Sequence, residues 1–333
     1  MSLIKVSGLT KVFKTYDRKE GVWGGIQNLF VRKSREIRAV DNINFSIDEG
    51  EMVGYIGANG AGKSTTIKML TGILVPSHGT IEANGFIPYR DRHRYTHGIG
   101  VVFGQRTQLW WDIAVVESFQ LLKRIYQIPE RKFQEQLETF NSVLDLKPLL
   151  GVPVRKLSLG QRMRCDLAAA FLHNPKIVFL DEPTIGLDLV AKENIRQFLK
   201  RINRELKVTV LLTTHDLSDI EELCRRVMII DGGRLLFDGT LESLRKRFEC
   251  KSQVLFELRE PTKFKFDSLG LESSVDFREV DPLHFQAVFN KEKVSSAELI
   301  KTIVNSLSVR DIALDDTTIE EIVREIYTRG GIE

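Results

Sequence analysis

Cysteine and long apolar runs are scarce in this chain of 333 residues. Its three cysteines, Cys165, Cys224 and Cys250, are widely spaced and form no CxxC pair, which argues against a thiolate metal site and fits a reducing cytoplasm. No apolar run approaches the roughly 18 residues of a membrane-spanning helix, and the first residues lack the apolar core of a signal peptide. We therefore expect another chain to supply the membrane-spanning part of any working complex.

An excess of charge of either sign is also absent. The 48 lysines and arginines nearly balance the 45 aspartates and glutamates, which gives a net charge of +3. This balance provides no overall field that would attract nucleic acid or an acidic substrate, so we expect no nucleic-acid partner. The hydrophobic content of 42% is ordinary for a globular protein, and the length suggests about two domains.

Short apolar runs alternate with helical stretches through residues 1–240. The runs are bounded by polar residues or glycine and are short enough to be buried parallel strands. This alternation predicts an α/β core with a helical subdomain at about 106–172, in which 113–148 and 161–172 have helical spacing. The predicted strands are 52–56, 99–103, 177–180, 208–213 and 227–230.

The pattern changes after residue 240, and residues 241–333 are predicted to form a separate C-terminal accessory domain. Strand-like and helical segments follow one another there in the order β-α-β-β-α-β, which is typical of a small α+β, ferredoxin-like domain. His284 is interpreted as a strand residue and not as a metal ligand. The strands are predicted at 254–258, 275–280, 284–289 and 309–314, and the helices at 268–271, 296–307 and 319–327.

Residues 57–64, GANGAGKS, satisfy the pattern GxxxxGK followed by Ser or Thr in full. Glycines let backbone N–H groups surround phosphate oxygens, Lys63 neutralises the β and γ phosphates, and Ser64 offers its hydroxyl to Mg²⁺. A strand before the loop and a helix after it favour this interpretation over a chance glycine-rich turn. The predicted nucleotide-binding residues are Gly57, Ala58, Asn59, Gly60, Ala61, Gly62, Lys63, Ser64 and Thr65.

The predicted strand 177–180 runs directly into two carboxylates. Asp181 is placed to hold Mg²⁺ through water, and Glu182 is placed to polarise an attacking water as a general base. An isolated acidic pair would more often be a simple turn, but the intact phosphate loop favours the catalytic interpretation.

Another helix is predicted to begin just after Ser158-Leu159-Gly160-Gln161. Ser158 can cap that helix, and Gly160 allows backbone to approach an anion at the positive helix end. A capped helix without a ligand is the alternative.

The sequence contains, in this order, the phosphate loop, Gln105, Leu157 to Gln161, Asp181-Glu182, Gly186-Leu187-Asp188 and Thr214-His215-Asp216. As a set, these motifs resemble those of ATP-binding cassette (ABC) ATPases, over residues 2–240. The chain looks most similar to the ATPase subunits of type-2 ABC exporters, whose permeases are separate polypeptides. The resemblance implies a P-loop NTPase fold, ATP and Mg²⁺ as cofactors, transmembrane permease subunits as partners, a nucleotide-sandwich homodimer, and a peripheral location on the cytoplasmic face of the cell membrane.

The resemblance also implies roles for single residues. Gln105 matches the residue that contacts Mg²⁺ and the attacking water, and His215 matches the histidine that touches the γ-phosphate. Asp188 matches the loop that crosses to the partner subunit, and Phe13 matches the aromatic that stacks on adenine, with Tyr16 as its competitor. Ser158, Gly160 and Gln161 would face the ATP held by a second copy, and Leu159 replaces the usual glycine. The expected catalytic set is Glu182, His215 and Gln105, and the expected metal set is Ser64, Gln105 and Asp181.

Two features leave alternatives open. Residues 14–38 form an insert with Trp23, Ile26 and Phe30 at helical spacing; it is interpreted either as an amphipathic element that meets the permease or an anionic leaflet, or as an edge hairpin. The pair Trp110-Trp111 is interpreted either as core aromatics or as part of a socket for a permease helix.

Other functions are weighed against the exporter. An ABC importer is the nearer rival, since the C-terminal domain would serve as a dimer-stabilising or regulatory module in either. A soluble ABC ATPase that acts on ribosomes or DNA would usually show two cassettes or a long coiled coil, and the sequence has neither. The transported substance cannot be inferred from this chain.

Overall fold

The computed structural model describes residues 2–16, 34–104, 106–247, 251–261, 275–290, 293–316 and 318–329. Four features of the sequence lie outside the described residues: the aromatic part of the insert, Gln105, Cys250 and the predicted helical turn at 268–271. The chain forms two compact units, Met1–Thr240 and Leu241–Glu333. Within the described ranges, no helix is both long enough and apolar enough to cross a membrane.

Unit 1 contains nine strands and seven α-helices in its described part. They are β1 (Ser2–Tyr16), β2 (Ser34–Asp48), β3 (Met52–Gly57), α1 (Lys63–Leu70), β4 (His78–Ala83), α2 (Arg92–Thr96), β5 (Ile99–Phe103), α3 (Val115–Ile125), α4 (Glu130–Leu144), α5 (Leu159–Phe171), β6 (Ile177–Asp181), α6 (Leu189–Leu206), β7 (Thr209–Thr213), α7 (Leu217–Leu223), β8 (Arg226–Asp231) and β9 (Arg234–Thr240).

The predicted α/β core is confirmed as a six-stranded sheet in the order β5-β6-β7-β3-β8-β9. All neighbours are parallel except β9, which runs antiparallel to β8. The strands are short and apolar because most of their residues are buried on both faces. The carboxyl ends of β3, β5, β6 and β7 meet at one edge, which is where ligands bind in sheets of this kind.

A second sheet of three antiparallel strands, in the order β2-β1-β4, completes unit 1. Side chains of alternating residues, among them Ile4, Val6, Ile43 and Ile81, are buried and share one hydrophobic cluster with the central sheet. This cluster joins the two sheets into one body.

The helical subdomain lies between β5 and β6 in the sequence. The prediction of one helical stretch over 113–148 is wrong, because the structure has α3 and α4 there, separated at residues 126–129. Gln127 has a φ of +52°, and Pro129 disfavours a helical conformation in the residue before it. Helix α5 begins at Leu159, two residues earlier than expected, because Ser158 is its N-cap.

Unit 2 contains an antiparallel sheet in the order β11-β12-β10-β13. This strand order is that of the split βαβ arrangement. Its core includes Phe256, Phe285 and Phe289, which are buried on alternating positions of β10 and β12. The elements are α8 (Leu241–Arg247), β10 (Lys251–Leu258), β11 (Val275–Glu279), β12 (His284–Asn290), α9 (Ser296–Ser306), β13 (Val309–Asp316) and α10 (Ile319–Arg329).

Candidate functional site

The phosphate loop joins the central strand β3 to helix α1. It turns through Gly60 and Gly62, whose φ angles are +85° and +111°. A Cβ atom at Gly62 would lie 2.5 Å from the carbonyl oxygen of Ala39, so only glycine fits where the loop passes β2. Helix α1 begins at the next residue, Lys63, and the positive end of a helix at this place favours an anion.

Lys63 holds a positive charge against the loop. Its ammonium donates hydrogen bonds to the carbonyl oxygens of Gly57 and Ala58, at 2.5 Å and 3.1 Å. Burial holds the pKa of Lys63 below its usual value, although the nearby carboxylates of Glu182 and Asp181 act in the opposite direction. The loop surrounds a cavity of about 180 Å³ lined by Ala39, Ala58, Asn59, Gly60, Gly62, Lys63, Ser64, Thr65 and Glu182. This concave surface of backbone with one lysine has the chemistry that nucleotide phosphates require.

Two of the three expected metal ligands lie along an adjoining cleft of about 830 Å³. Ser64 and Asp181 both line it, and the hydroxyl of Thr213 donates to Asp181 Oδ1 at 2.6 Å, which fixes the carboxylate at the end of β6. Hydroxyl and carboxylate oxygens are the ligands that Mg²⁺ prefers, so this donor set fits that ion. The lining residues are Asn59, Ser64, Lys68, Ile73, Phe103, Gly104, Arg106, Asp181, Glu182, Ile185 and His215.

Glu182 is held in an uncommon backbone conformation at the rim of the same cleft. Its φ is +56°, a region that glutamate rarely occupies, and its N–H donates to the carbonyl oxygen of Thr213 at 2.9 Å. The Glu182 Oε1 atom lies 3.6 Å from His215 Nδ1. The structure therefore brings the predicted base and the predicted histidine together.

The sequence analysis missed Gly104, which precedes Gln105. Its N–H donates to the carbonyl oxygen of Asp181 at 2.7 Å, and a Cβ atom there would lie 2.2 Å from the carbonyl oxygen of Glu182. Only glycine fits this approach of backbone to backbone. A glycine directly after the apolar run 99–103 was the available signal.

A buried ion pair braces the loops that follow β6 and β7. Arg196 Nε donates to Asp219 Oδ1 at 2.6 Å, and both residues are at least nine-tenths buried. The other carboxylate oxygen accepts from the hydroxyls of Thr184, at 2.5 Å, and Thr214, at 3.4 Å. Thr184 and Thr214 lie within two residues of Glu182 and His215, so the pair supports the loops that carry them. Their distance in sequence hid this arrangement from the sequence analysis.

The residues 158–161 form the N-terminus of α5, as predicted for a capped helix. Ser158 Oγ accepts from the Gln161 N–H at 3.2 Å, and Gln161 Oε1 accepts from the Ser158 N–H at 2.9 Å, which is a capping box. Asp188 likewise caps α6, since its Oδ1 accepts from the Ala191 N–H at 2.8 Å. A Cβ atom at Gly160 would lie 3.6 Å from Ala191 Cβ, so the two helix N-termini are neighbours.

Several expected site residues are not brought together with the phosphate loop. The linings of the two nucleotide-side cavities include none of Ser158, Gly160, Gln161 and Asp188. Phe13 also lies outside both linings; it is exposed on β1, with the Lys11 ammonium 5.3 Å from its ring centroid. Gln105 lies outside the described residues, so its expected role stays a prediction.

The interpretation of Trp110 and Trp111 as buried core aromatics is wrong, because their exposed fractions are 41% and 49%. The guanidinium of Arg162 lies 5.4 Å from the centroid of the Trp111 ring, which makes a cation–π contact with helix α5.

Comparison with known proteins finds relatives that agree with one another in family. Residues 40–185 match the ABC transporter family model. The ABC transporter ATP-binding protein NatA of Bacillus subtilis strain 168 is 33% identical over 215 residues, 65% of this chain and 87% of that protein. The Nod factor export ATP-binding protein I of Ralstonia nicotianae is 35% identical over 204 residues, which cover 61% of this chain and 63% of that protein. The methionine import ATP-binding protein MetN 2 of Enterococcus faecalis is 28% identical over 242 residues, which cover 72% of this chain and 70% of that protein.

A solved structure of a dimeric ATP-binding cassette in a post-hydrolysis state, bound to ADP and Pi, superposes with a TM-score of 0.60 at 26% identity, covering 72% of this chain and 98% of that one. The fold, the phosphate loop and these relatives agree. The chain belongs to the ABC transporter family, as an ATP-binding subunit that hydrolyses ATP.

Replacing Gly104 by alanine tests how closely Glu182 must be held. We expect Gly104→Ala to lower kcat of the ATPase roughly 10- to 100-fold, because the added Cβ displaces the Glu182 backbone and small misplacements cost this much. The affinity for ATP, measured by equilibrium binding, should change little.

Gly151→Ala is the matched control, because a Cβ atom at Gly151 would meet nothing within 4 Å. Equal ATPase rates of the Gly104→Ala and Gly151→Ala variants would contradict this account.

Proposed function

We propose that the protein powers a membrane exporter by closing as a homodimer around two ATP molecules and reopening after hydrolysis. The observation that carries this proposal is that two features suited to an anion are separated from each other within one chain. The phosphate loop and the capped N-terminus of α5 at Ser158 are both suited to an anion, and they do not share a cavity.

A second copy resolves this separation. In a two-fold symmetric dimer, the helix end at Ser158 of one subunit can face the phosphate loop of the other, and the same contact then forms twice. Asp188, beside Gly160, lies at the same surface and would cross to the partner with it. Each nucleotide would then be held by residues of both subunits.

Within each site, hydrolysis divides among the residues of the phosphate-loop cleft. Lys63 binds the β and γ phosphates, and Ser64, Gln105 and Asp181 would hold Mg²⁺. The ion supplies charge neutralisation of the phosphate oxygens when bound. Glu182 accepts a proton from the attacking water, and His215, 3.6 Å from it, lies where it can contact the γ-phosphate.

The partner in this proposal is a transmembrane permease on the cytoplasmic face of the cell membrane. The exposed Trp110 and Trp111, five and six residues after Gln105 in the sequence, offer aromatic surface for it. Phe13 remains the predicted platform for adenine, and residues 241–333 the predicted regulatory or dimer-stabilising module.

Replacing Glu182 by glutamine removes the proposed base without changing the side-chain shape. We expect Glu182→Gln to lower kcat roughly 100- to 10,000-fold, as general-base removal does, while ATP binding is retained. The measurement is phosphate release under single-turnover conditions together with equilibrium ATP binding. Glu193→Gln, an exposed carboxylate on α6, is the control and should keep the wild-type rate. Near-normal hydrolysis by Glu182→Gln would refute the assignment.

Mixing two inactive variants tests whether each site is shared between subunits. Lys63→Ala disables the phosphate loop, and Ser158→Arg blocks the helix end. A heterodimer of the two variants has both lesions in one site and an intact second site, so we expect mixing to restore about a quarter of the wild-type sites when subunits exchange at random. Each variant alone should stay inactive. No recovery, with heterodimers verified by mass, would contradict the shared site.

The direction of transport is the finer part of the proposal. Export is supported by the likeness of the motifs to type-2 exporters; the identity to the Nod factor export protein, 35%, is close to the 28% to 32% found for methionine import proteins. We expect the neighbouring genes to encode membrane permeases without a secreted binding protein. If a secreted binding protein is encoded there and stimulates the ATPase of the reconstituted complex, import is the function instead.

A further inference from the structure

A buried carboxylate on helix α5 binds the chain segment that follows Gln105. Asp166 is 4% exposed. Its Oδ1 atom accepts hydrogen bonds from the Thr107 hydroxyl at 2.8 Å and from the Gln108 N–H at 3.0 Å. The Gln108 side-chain amide donates to the carbonyl oxygen of the same Asp166 at 2.8 Å, and the Leu109 N–H donates to the Thr107 hydroxyl at 3.1 Å.

The chain on the other side of Gln105 is attached to the catalytic strand. Phe103 is paired with Asp181 in the sheet, and the Gly104 N–H donates to the carbonyl oxygen of Asp181. In the sequence, Gln105 stands between residues attached to β6, next to Glu182, and residues attached to α5. The two attachments are separated by two to four residues, and Arg106, which stands between them, lines the hydrolysis cleft.

The same segment then runs along α5 toward Ser158. Arg162, four residues before Asp166 and thus one turn away on the same helix face, lies over the Trp111 ring. The N–H of Arg155, three residues before Ser158, donates to the carbonyl oxygen of Trp111 at 3.0 Å. Residues 106–111 therefore contact helix α5 at Asp166 and Arg162 and the chain three residues before Ser158.

We propose that Asp166 is a positioning residue that fixes the loop after Gln105 to α5, so that the loop and the helix end at Ser158 move as one body. The consequence at Ser158 rests on the proposed dimer closure, whereas the local attachment does not. A buried carboxylate is costly unless it is hydrogen-bonded, which explains why three donors converge on Asp166 and its backbone.

The ionisation of Asp166 is consistent with this role. Burial raises the pKa of Asp166 to about 6, while the bonds from Thr107 and Gln108 and the charge of Arg162 act in the opposite direction. The group is therefore ionised at neutral pH, where charge-assisted bonds are stronger than neutral ones.

The test compares Asp166→Ala, which removes the acceptor, with Asp166→Asn, which keeps a side-chain oxygen. In the full-length chain we expect Asp166→Ala to lower kcat roughly 10- to 100-fold with KM for ATP within about twofold of wild type, because the cleft wall at Arg106 is released and the phosphate loop is not. Hydrogen exchange at the Gln108 amide should become faster. Asp166→Asn should restore most of the rate and of the amide protection.

Asp112→Ala is the control in the same segment, since the Asp112 side chain is exposed and its ion pair with Arg155 contributes little. If Asp166→Ala does not fold, Thr107→Val and Thr107→Ser decide, because only the serine keeps the donor: kcat should fall for valine alone. The proposal is overturned by equal rates of these two variants. It is also overturned by a folded Asp166→Ala with wild-type kcat, or by loss of kcat with unchanged Gln108 exchange. Failure of subunit mixing, with these results intact, would affect only dimer closure.

Discussion

The register between β6 and β7 is the constraint on which the hydrolysis cleft depends. Asp181 is paired with Thr213 in the parallel sheet, and the Thr213 hydroxyl holds the Asp181 carboxylate. The Glu182 N–H extends the ladder by one more bond, to the Thr213 carbonyl oxygen, while its φ of +56° turns the chain away from the strand direction. The two carboxylates are thus placed by sheet geometry, which is stiffer than a loop.

A second set of contacts prevents these strand ends from relaxing. Gly104 approaches Glu182 from the β5 side, and the Arg196–Asp219 pair supports the following loops through two threonine hydroxyls. A strained backbone persists only where its surroundings determine it in several ways at once. The buried ion pair serves mainly to hold these strand ends in place. It adds little net stability, because its desolvation offsets much of its attraction.

Local patterns in the sequence were enough for the parallel strands of the central sheet, the strands of unit 2, the phosphate loop and the cap at Ser158, because each depends on neighbouring residues; β1, β2, β4 and β9 were not predicted. The single helix expected over 113–148 is two helices, since the pattern of apolar residues continues across Pro129 while the backbone cannot. Gly104, Asp219 and Asp166 were missed for a different reason. Asp166 meets Thr107 across 59 positions of sequence, and on α5 its carboxylate had the appearance of an ordinary exposed helix residue.

The surface around Ser158 is consistent with the proposed dimer. Leu189 and Val190, directly after the cap Asp188, have exposed fractions of 77% and 70%. Apolar side chains beside the helix end at Ser158, which favours an anion, form a mixed surface whose apolar part is unfavourably exposed to water. A second subunit that brings nucleotide phosphate to the helix ends would also cover Leu189 and Val190. Charge attraction and apolar burial would then both favour the ATP-bound dimer, and loss of the γ-phosphate would weaken the charge attraction.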